Sequence, residues 1–355
     1  MSKYNQQLPE ETPGPSRPGK VVLTLLVTLL AAVAFNFLLG AFLRRYTTNL
    51  GYYLIAKKWD LLEAQEGPVD WLLIGDSSCN QGVRPDIILR DRGETALNLC
   101  STAQQLVVEG AWQLQHYIDL YGPPRKGVIV VHVYDVWPTN GGGNGGQGRR
   151  PPIHHGMSMV PLPWRFWKSY EPVLRLKPEQ EREMAIQRYV PGYAQSRTVR
   201  KWLLKPMSSV RALRRRRIDD TGYMRVDEVK EGKAARDTRG HIHFMRRGTF
   251  SVSKLNRLGF QAIADIAGRH GVPVTLALSP LDEGLVNNKY FPSYMRRVRI
   301  KLEGLCASAD HVDCVLLDRP AAFPTAQMEN SDHVTHPLAE QYTQRLMGAA
   351  TGEEP

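Results

Sequence analysis

The chain has 355 residues, 42% of them hydrophobic and 23% charged, which supplies apolar material for one large or two modest cores and excludes disorder throughout. Lysine and arginine number 46 against 35 aspartate and glutamate, a formal charge of +11 that favours anionic surfaces such as lipid headgroups, acidic polysaccharide or nucleic acid without choosing among them.

Residues 1–20 are rich in proline and polar residues, lack apolar periodicity, and are expected to form a disordered tail. Val21 to Leu43 is then uncharged throughout and bracketed by Lys20 and Arg44-Arg45. At about 1.5 Å per residue it spans a bilayer core of about 30 Å, and it is longer than the roughly 7–15 apolar residues of a signal peptide. A single transmembrane helix over 21–43 is the expectation. Lys3, Arg17 and Lys20 on one side face Arg44, Arg45, Lys57 and Lys58 on the other, so the positive-inside rule leaves orientation open.

Residues 44–68 read as a juxtamembrane helix, around 46–65, and a linker. Strand and helix then alternate: an apolar run at 70–75 suited to a central parallel strand, a short strand at 94–99, a helix at 103–121 and a β-branched strand at 127–137. Strand, helix and strand at these lengths imply right-handed crossovers and a parallel sheet. Residues 138–251 open with a glycine-rich stretch, continue through basic segments, and read as an irregular insertion. Alternation resumes over 252–348, with helices at 253–270, 289–308 and 337–348 and strands at 272–278 and 311–317, before a short tail at 349–355. The expected fold is a three-layer α/β domain with a parallel central sheet, in parts 69–137 and 252–348, preceded by one membrane helix.

In an open parallel sheet, ligands bind beyond the carboxyl ends of the strands. Asp76-Ser77-Ser78 follows the first strand, Asn98 to Thr102 the second, and Tyr134-Asp135 the third. Asp332, His333 and His336 stand just before the last helix. A serine, an acid and a histidine at one rim are the parts of a nucleophilic acyl-transfer site.

On these residues the chain resembles the SGNH (GDSL-type) hydrolases and their membrane-anchored relatives that acylate or deacylate envelope glycans. The resemblance covers 69–135 and 252–347 and implies a flavodoxin-like sheet. Gly75-Asp76-Ser77 matches the first block of that family, which implies Ser77 as nucleophile and its backbone N–H as an oxyanion donor. Asn98 and Ala103 align with the second block, where Ala103 replaces a glycine. Tyr134-Asp135 aligns with the third, where Tyr134 replaces an asparagine. The last block can be laid down with His333 as base beside Asp332, the favoured arrangement, or with His336 as base and His333 in the place of the acid.

The function these parts imply is a membrane-anchored serine esterase or O-acyl(acetyl)transferase in the inner membrane, with its domain extracytoplasmic. Its partners would be the bilayer, an acylated polysaccharide or other envelope acyl ester, and other membrane proteins of a polysaccharide pathway. The alternatives are a catalytically degenerate glycan-binding or assembly component and a membrane-anchored lipid esterase. No cofactor or metal is expected: His154-His155 and His241/His243 lack an accompanying ligand set and read as surface histidines of the insertion. The basic stretch 197–217 suits headgroups, an acidic glycan or a solvated face, and nucleic acid is disfavoured by the anchor and by the lack of a reader motif. Cys306 and Cys314 are spaced for a disulfide, whereas Cys79 and Cys100 read as buried small hydrophobes, with a Cys79 thiol nucleophile as a minor alternative.

Overall fold

The structure is a computed structural model that describes residues 18–102, 106–138, 189–214, 218–227, 232–246 and 248–353, with isolated positions at 178, 182, 185, 186 and 229. Helix α1, Pro18–Tyr46, is apolar, solvent-facing over most of its length, and long enough to cross a bilayer. Helix α2, Leu50–Glu63, follows, with Asn49 capping the N–H groups of Gly51 and Tyr52.

The domain core is a five-stranded sheet of β1 (Trp71–Gly75), β2 (Ala96–Asn98), β3 (Gly127–His132), β4 (Val274–Leu278) and β6 (Val312–Val315). Its order is β2-β1-β3-β4-β6 and every pairing is parallel. This is the flavodoxin-like doubly wound order, with its switch point between β1 and β3. β5 (Leu281–Asp282) pairs with β7 (Ala322–Phe323) in a separate ribbon, and the short α11 (Glu283–Val286) follows β5.

Alternation along the strands divides the core in two. Leu72, Ile74, Val128, Val130, Val274 and Leu276 face α5 (Leu106–Tyr121), α10 (Lys254–Arg269) and α12 (Phe291–Cys306). Trp71, Leu73, Ile129, Val131 and Ala277 face α3 (Ser77–Gly82), α4 (Pro85–Arg92) and α13 (His336–Thr351). Covered on both sides, the strands carry continuous apolar runs, which is why the sequence disclosed them.

β3 ends five residues before the expected 137. The backbone beyond it is captured elsewhere: Val133 N–H donates to Asp76 Oδ2 at 2.8 Å, and Asn256 Nδ2 donates to the carbonyls of Val136 and Trp137 at 2.9 and 3.1 Å. β6 likewise stops short of 317, where Leu316 turns the chain at φ 59°.

The insertion is not irregular throughout. Its described part holds α6 (Pro191–Ala194), α7 (Ser196–Leu204), α8 (Pro206–Arg214) and α9 (Lys233–Arg246), the last between β3 and α10 in sequence. Its amphipathic spacing is masked in the sequence by the surrounding arginines. Residues 218–226 return to the sheet edge: Asn98 N–H donates to Thr221 O, Met224 N–H to Asn80 O, and His336 N–H to Val226 O. The glycine-rich 140–146, His154-His155 and Arg215 to Arg217 lie outside the described residues.

Two disulfides pair all four cysteines, Cys306 with Cys314 as expected and Cys79 with Cys100. The reading of Cys79 as an unpaired hydrophobe or a thiol nucleophile is thereby overturned. Parallel pairing of β2 with β1 brings Cys100, two residues beyond β2, to the underside of α3, with the Cα atoms 5.7 Å apart.

Candidate active site

β1 ends at Gly75, where packing against β3 forbids a side chain: a Cβ there would lie 2.1 Å from the Val131 carbonyl oxygen. Asp76 is buried and caps α3, its Oδ1 accepting from Ser78 N–H at 2.9 Å and Ser78 Oγ–H at 2.5 Å. Its Oδ2 accepts Val133 N–H and lies 3.4 Å from Nδ1 of the buried His132. Burial works to raise this carboxyl, but His132, Ser78 and Val133 together hold it below its ordinary value. Asp76 therefore locks the first turn of α3 and is fully engaged in doing so. Ser77, the first residue of α3, is half-buried, and among the described residues its hydroxyl has no hydrogen-bond partner.

The loop before α13 supplies the histidine. An antiparallel bridge between Met328 and Val334 closes it, and Glu329 N–H donates to His333 O at 2.8 Å. Asn330 Oδ1 accepts Asp332 N–H at 3.0 Å, an Asx turn that folds both side chains onto the same ring. His333 Nδ1 is 2.7 Å from Asn330 Oδ1 and 2.8 Å from Asp332 Oδ1. Both oxygens accept, so Nδ1 carries the proton and Nε2 is the basic nitrogen. Burial opposes the charged ring, yet Asp332, with Glu329 and Asp76 adding their fields, raises it to about 9. Asp76, the chain neighbour of Ser77, contributes the smallest part of that field, and α13 packs on α3.

His336 is elsewhere. It opens α13, and its Nδ1 lies 3.0 Å from the Tyr223 hydroxyl at a separate cavity of about 440 Å³ lined also by Arg84, Asp86 and Arg225. Burial first, then Arg84 and Arg225, push its pKa down.

Of the remaining expected residues, Asp135 feels the fields of the Asp332 and Asp76 carboxylates, and Tyr134 that of Asp332. Removal from water, countered by His241 and reinforced by Asp332, Asp76 and Asp237, raises Asp135 to about 7. Tyr134 is fully buried, its hydroxyl 2.7 Å from His241 Nδ1, and burial holds it protonated. Asn98 has no amide hydrogen to spare, since Nδ2 donates to the carbonyls of Cys79 and Val83 at 3.3 and 2.9 Å. Its Oδ1 accepts from Cys100 N–H and from the buried Lys58. Ala103 lies outside the described residues.

Two further residues complete the rim: Asp237, which the sequence does not flag, and His241, expected as a surface histidine but largely buried and engaged with the Tyr134 hydroxyl. His241 Nε2 stands 3.9 Å from both Asp135 Oδ2 and Asp237 Oδ2, on α9 of the insertion. The i,i+4 spacing of Asp237 and His241 on one helical face was the available signal. It is readable only once the segment is known to be helical. Among the described residues no group of histidine, cysteine or carboxylate side chains is arranged to hold a metal ion.

No protein-family description matches the chain, and no curated protein matches it. Among solved structures it is similar to one from Streptococcus pneumonia, described provisionally as a platelet activating factor. The two share 10% identity at a TM-score of 0.35, over 89% of this chain and 97% of that one. A superposition that loose assigns neither family nor function.

Proposed function

We propose that the protein is a membrane-anchored SGNH-like serine esterase or O-acyl(acetyl)transferase. The observation that carries this reading is the set of bonds on His333: Nδ1 held by Asp332 and Asn330, Nε2 left basic, on the loop leading into α13, the helix that packs on α3, which begins with the unengaged Ser77 hydroxyl. In the mechanism, His333 Nε2 takes the Ser77 proton as Oγ attacks the acyl carbonyl, and Asp332 stabilises the imidazolium that forms. The backbone N–H of Ser77 holds the oxyanion, and the family resemblance assigns a second donor to Ala103. His333 then returns the proton to the departing alkoxide, leaving an acyl-Ser77 ester. Water or a sugar hydroxyl, deprotonated by His333, resolves that ester.

The envelope or exported polysaccharide as substrate is drawn from the family resemblance and from the excess of basic residues. An extracytoplasmic domain on an inner-membrane anchor is supported by two disulfides, which persist in oxidising compartments. The second reading, a degenerate glycan-binding or assembly component, is favoured by Tyr134, whose hydroxyl is engaged with His241 where the family carries an amide donor.

Fluorophosphonate labelling of the full chain in detergent separates the two. Labelling lost in Ser77→Ala and in His333→Ala, and kept in His336→Ala, is the expected result. A folded wild type that does not label removes the enzyme reading in favour of the glycan-binding one.

A further inference from the structure

Residues 189–204 dock beside the second half of α1. Asn36 Nδ2 donates to Tyr189 O at 2.7 Å, and Trp202 Nε1 donates to Tyr46 O at 2.8 Å. The Trp202 ring meets Phe42 edge-on at 5.6 Å between centroids. The approach is close at the glycines: a Cβ on Gly40 would lie 3.2 Å from Pro191, and one on Gly192 would lie 3.0 Å from Leu39. Leu43 and Thr47 are buried, and the Thr47 and Thr198 hydroxyls meet at 3.4 Å. The last turns of α1 are therefore part of the folded domain.

The depth of this contact follows from lengths. The apolar helix runs from Gly19 to Tyr46, 28 residues, whereas a bilayer core takes about 20. Lys20 marks the headgroup level at one end, so the other falls near Gly40, and Phe42 to Tyr46 emerge on the domain side. α6 and α7 are thus held at the height of the headgroups.

α7 is built for that position. Trp202 and Thr198 lie on the side turned to the end of α1, while Leu203 is 77% exposed, with Met207 at the start of α8 76% exposed. Arg197, Arg200 and Lys201 occupy the remainder of the helix, followed by Lys205 and Arg211, with no acidic residue between Pro191 and Arg217. An interfacial helix has this division, and clustered basic residues next to a membrane helix favour anionic lipid.

We propose that α6, α7 and the start of α8 form an in-plane platform on an anionic bilayer, Leu203 and Met207 entering the acyl boundary while Arg197, Arg200, Lys201 and Lys205 engage headgroup phosphates. The exposed apolar surface of α1 continues into that of α7, so one lipid phase covers both. The platform fixes the height of the domain over the membrane, and of the insertion that also delivers His241. It rests on α1 lying in a bilayer and not on the serine chemistry.

The test uses the full chain in phosphatidylcholine–phosphatidylglycerol vesicles, with single cysteines carrying an NBD fluorophore at Leu203→Cys, Met207→Cys and, as an exposed remote control, Ile300→Cys. Flotation first establishes that the chain is in the vesicles. Expected are a blue shift and quenching by acyl-brominated lipid at 203 and 207, and neither at 300. Combined Arg197→Gln, Arg200→Gln and Lys201→Gln should reduce the quenching at 203, as should high salt in the parent chain. Quenching at 203 and 207 no greater than at 300 overturns the proposal. A blue shift without lipid quenching also overturns it, and points to a protein partner. Failure to float overturns it together with the membrane assignment of α1, while serine labelling of the same sample reports on the enzyme reading independently.

Discussion

His333 and His336 stand three residues apart on one loop, yet the fold places them in opposite electrostatic surroundings. His333 turns toward Asp332, Asp76 and Glu329 and is raised to about 9, whereas His336 turns toward Arg84 and Arg225 and is lowered. The boundary between them is the start of α13. Residues 328–334 are held by the Met328–Val334 bridge and the Asn330 turn, and Thr335, the N-cap, redirects the chain so that His336 faces the 218–226 segment. A histidine's role at such a rim is set by which side of the helix start it occupies, and proximity in sequence says little about it.

The sharpest way to break the comparison is to remove each ring. His333→Ala should slow Ser77 labelling by about 10²–10⁴, the range for loss of a positioned general base, while His336→Ala should leave the rate within about twofold. Equal losses would place the base elsewhere. Removing the Cys79–Cys100 disulfide by Cys79→Ala with Cys100→Ala should cost about 2–5 kcal/mol of stability, read by denaturant unfolding, because the bond ties the helix carrying Ser77 to the exit of β2.

The pH profile sharpens the comparison further. A base raised to about 9 is mostly imidazolium at neutral pH, so labelling should climb with pH and reach half its maximum near 9. Asp332→Asn removes the chief group that raises it and should move the midpoint toward the ordinary 6.5 as the maximal rate falls. An unmoved midpoint would mean that another group titrates. The same pair contributes stability that is fully present below about 6.5 and lost as pH rises through about 9, because the folded state binds the proton more tightly.

A smaller effect is expected at His241, whose contacts among the described residues reach the rim through Tyr134, Asp135 and Asp237. His241→Gln should remove the attraction that holds Asp135 down, displacing any rim titration assigned to Asp135 upward from about 7. Carbon-detected NMR of the Asp135 carboxyl would read that directly.

The five strands and their helices were legible because a sheet covered on both faces demands apolar runs, as at Leu72 to Ile74 and Val128 to Val131, separated by amphipathic helices. Gly75-Asp76-Ser77 was legible as a turn and as a candidate site, and both have a physical basis. Gly75 is required by the approach of β3, Asp76 caps α3, and Ser77 is what remains unengaged. The helices of the insertion were obscured because arginine-rich segments satisfy solvent as readily in loops as in helices.

By itself the sequence determined the apolar α1, the alternation that yields a parallel sheet, and the polar residues at the strand ends, since each is a local consequence of burial periodicity. Only the tertiary structure decided that Cys79 joins Cys100, that His333 and His336 part company, and that α9 brings His241 to Tyr134. Those outcomes depend on contacts between segments far apart in the chain, whose geometry is set by how the helices pack on the sheet and not by spacing along it.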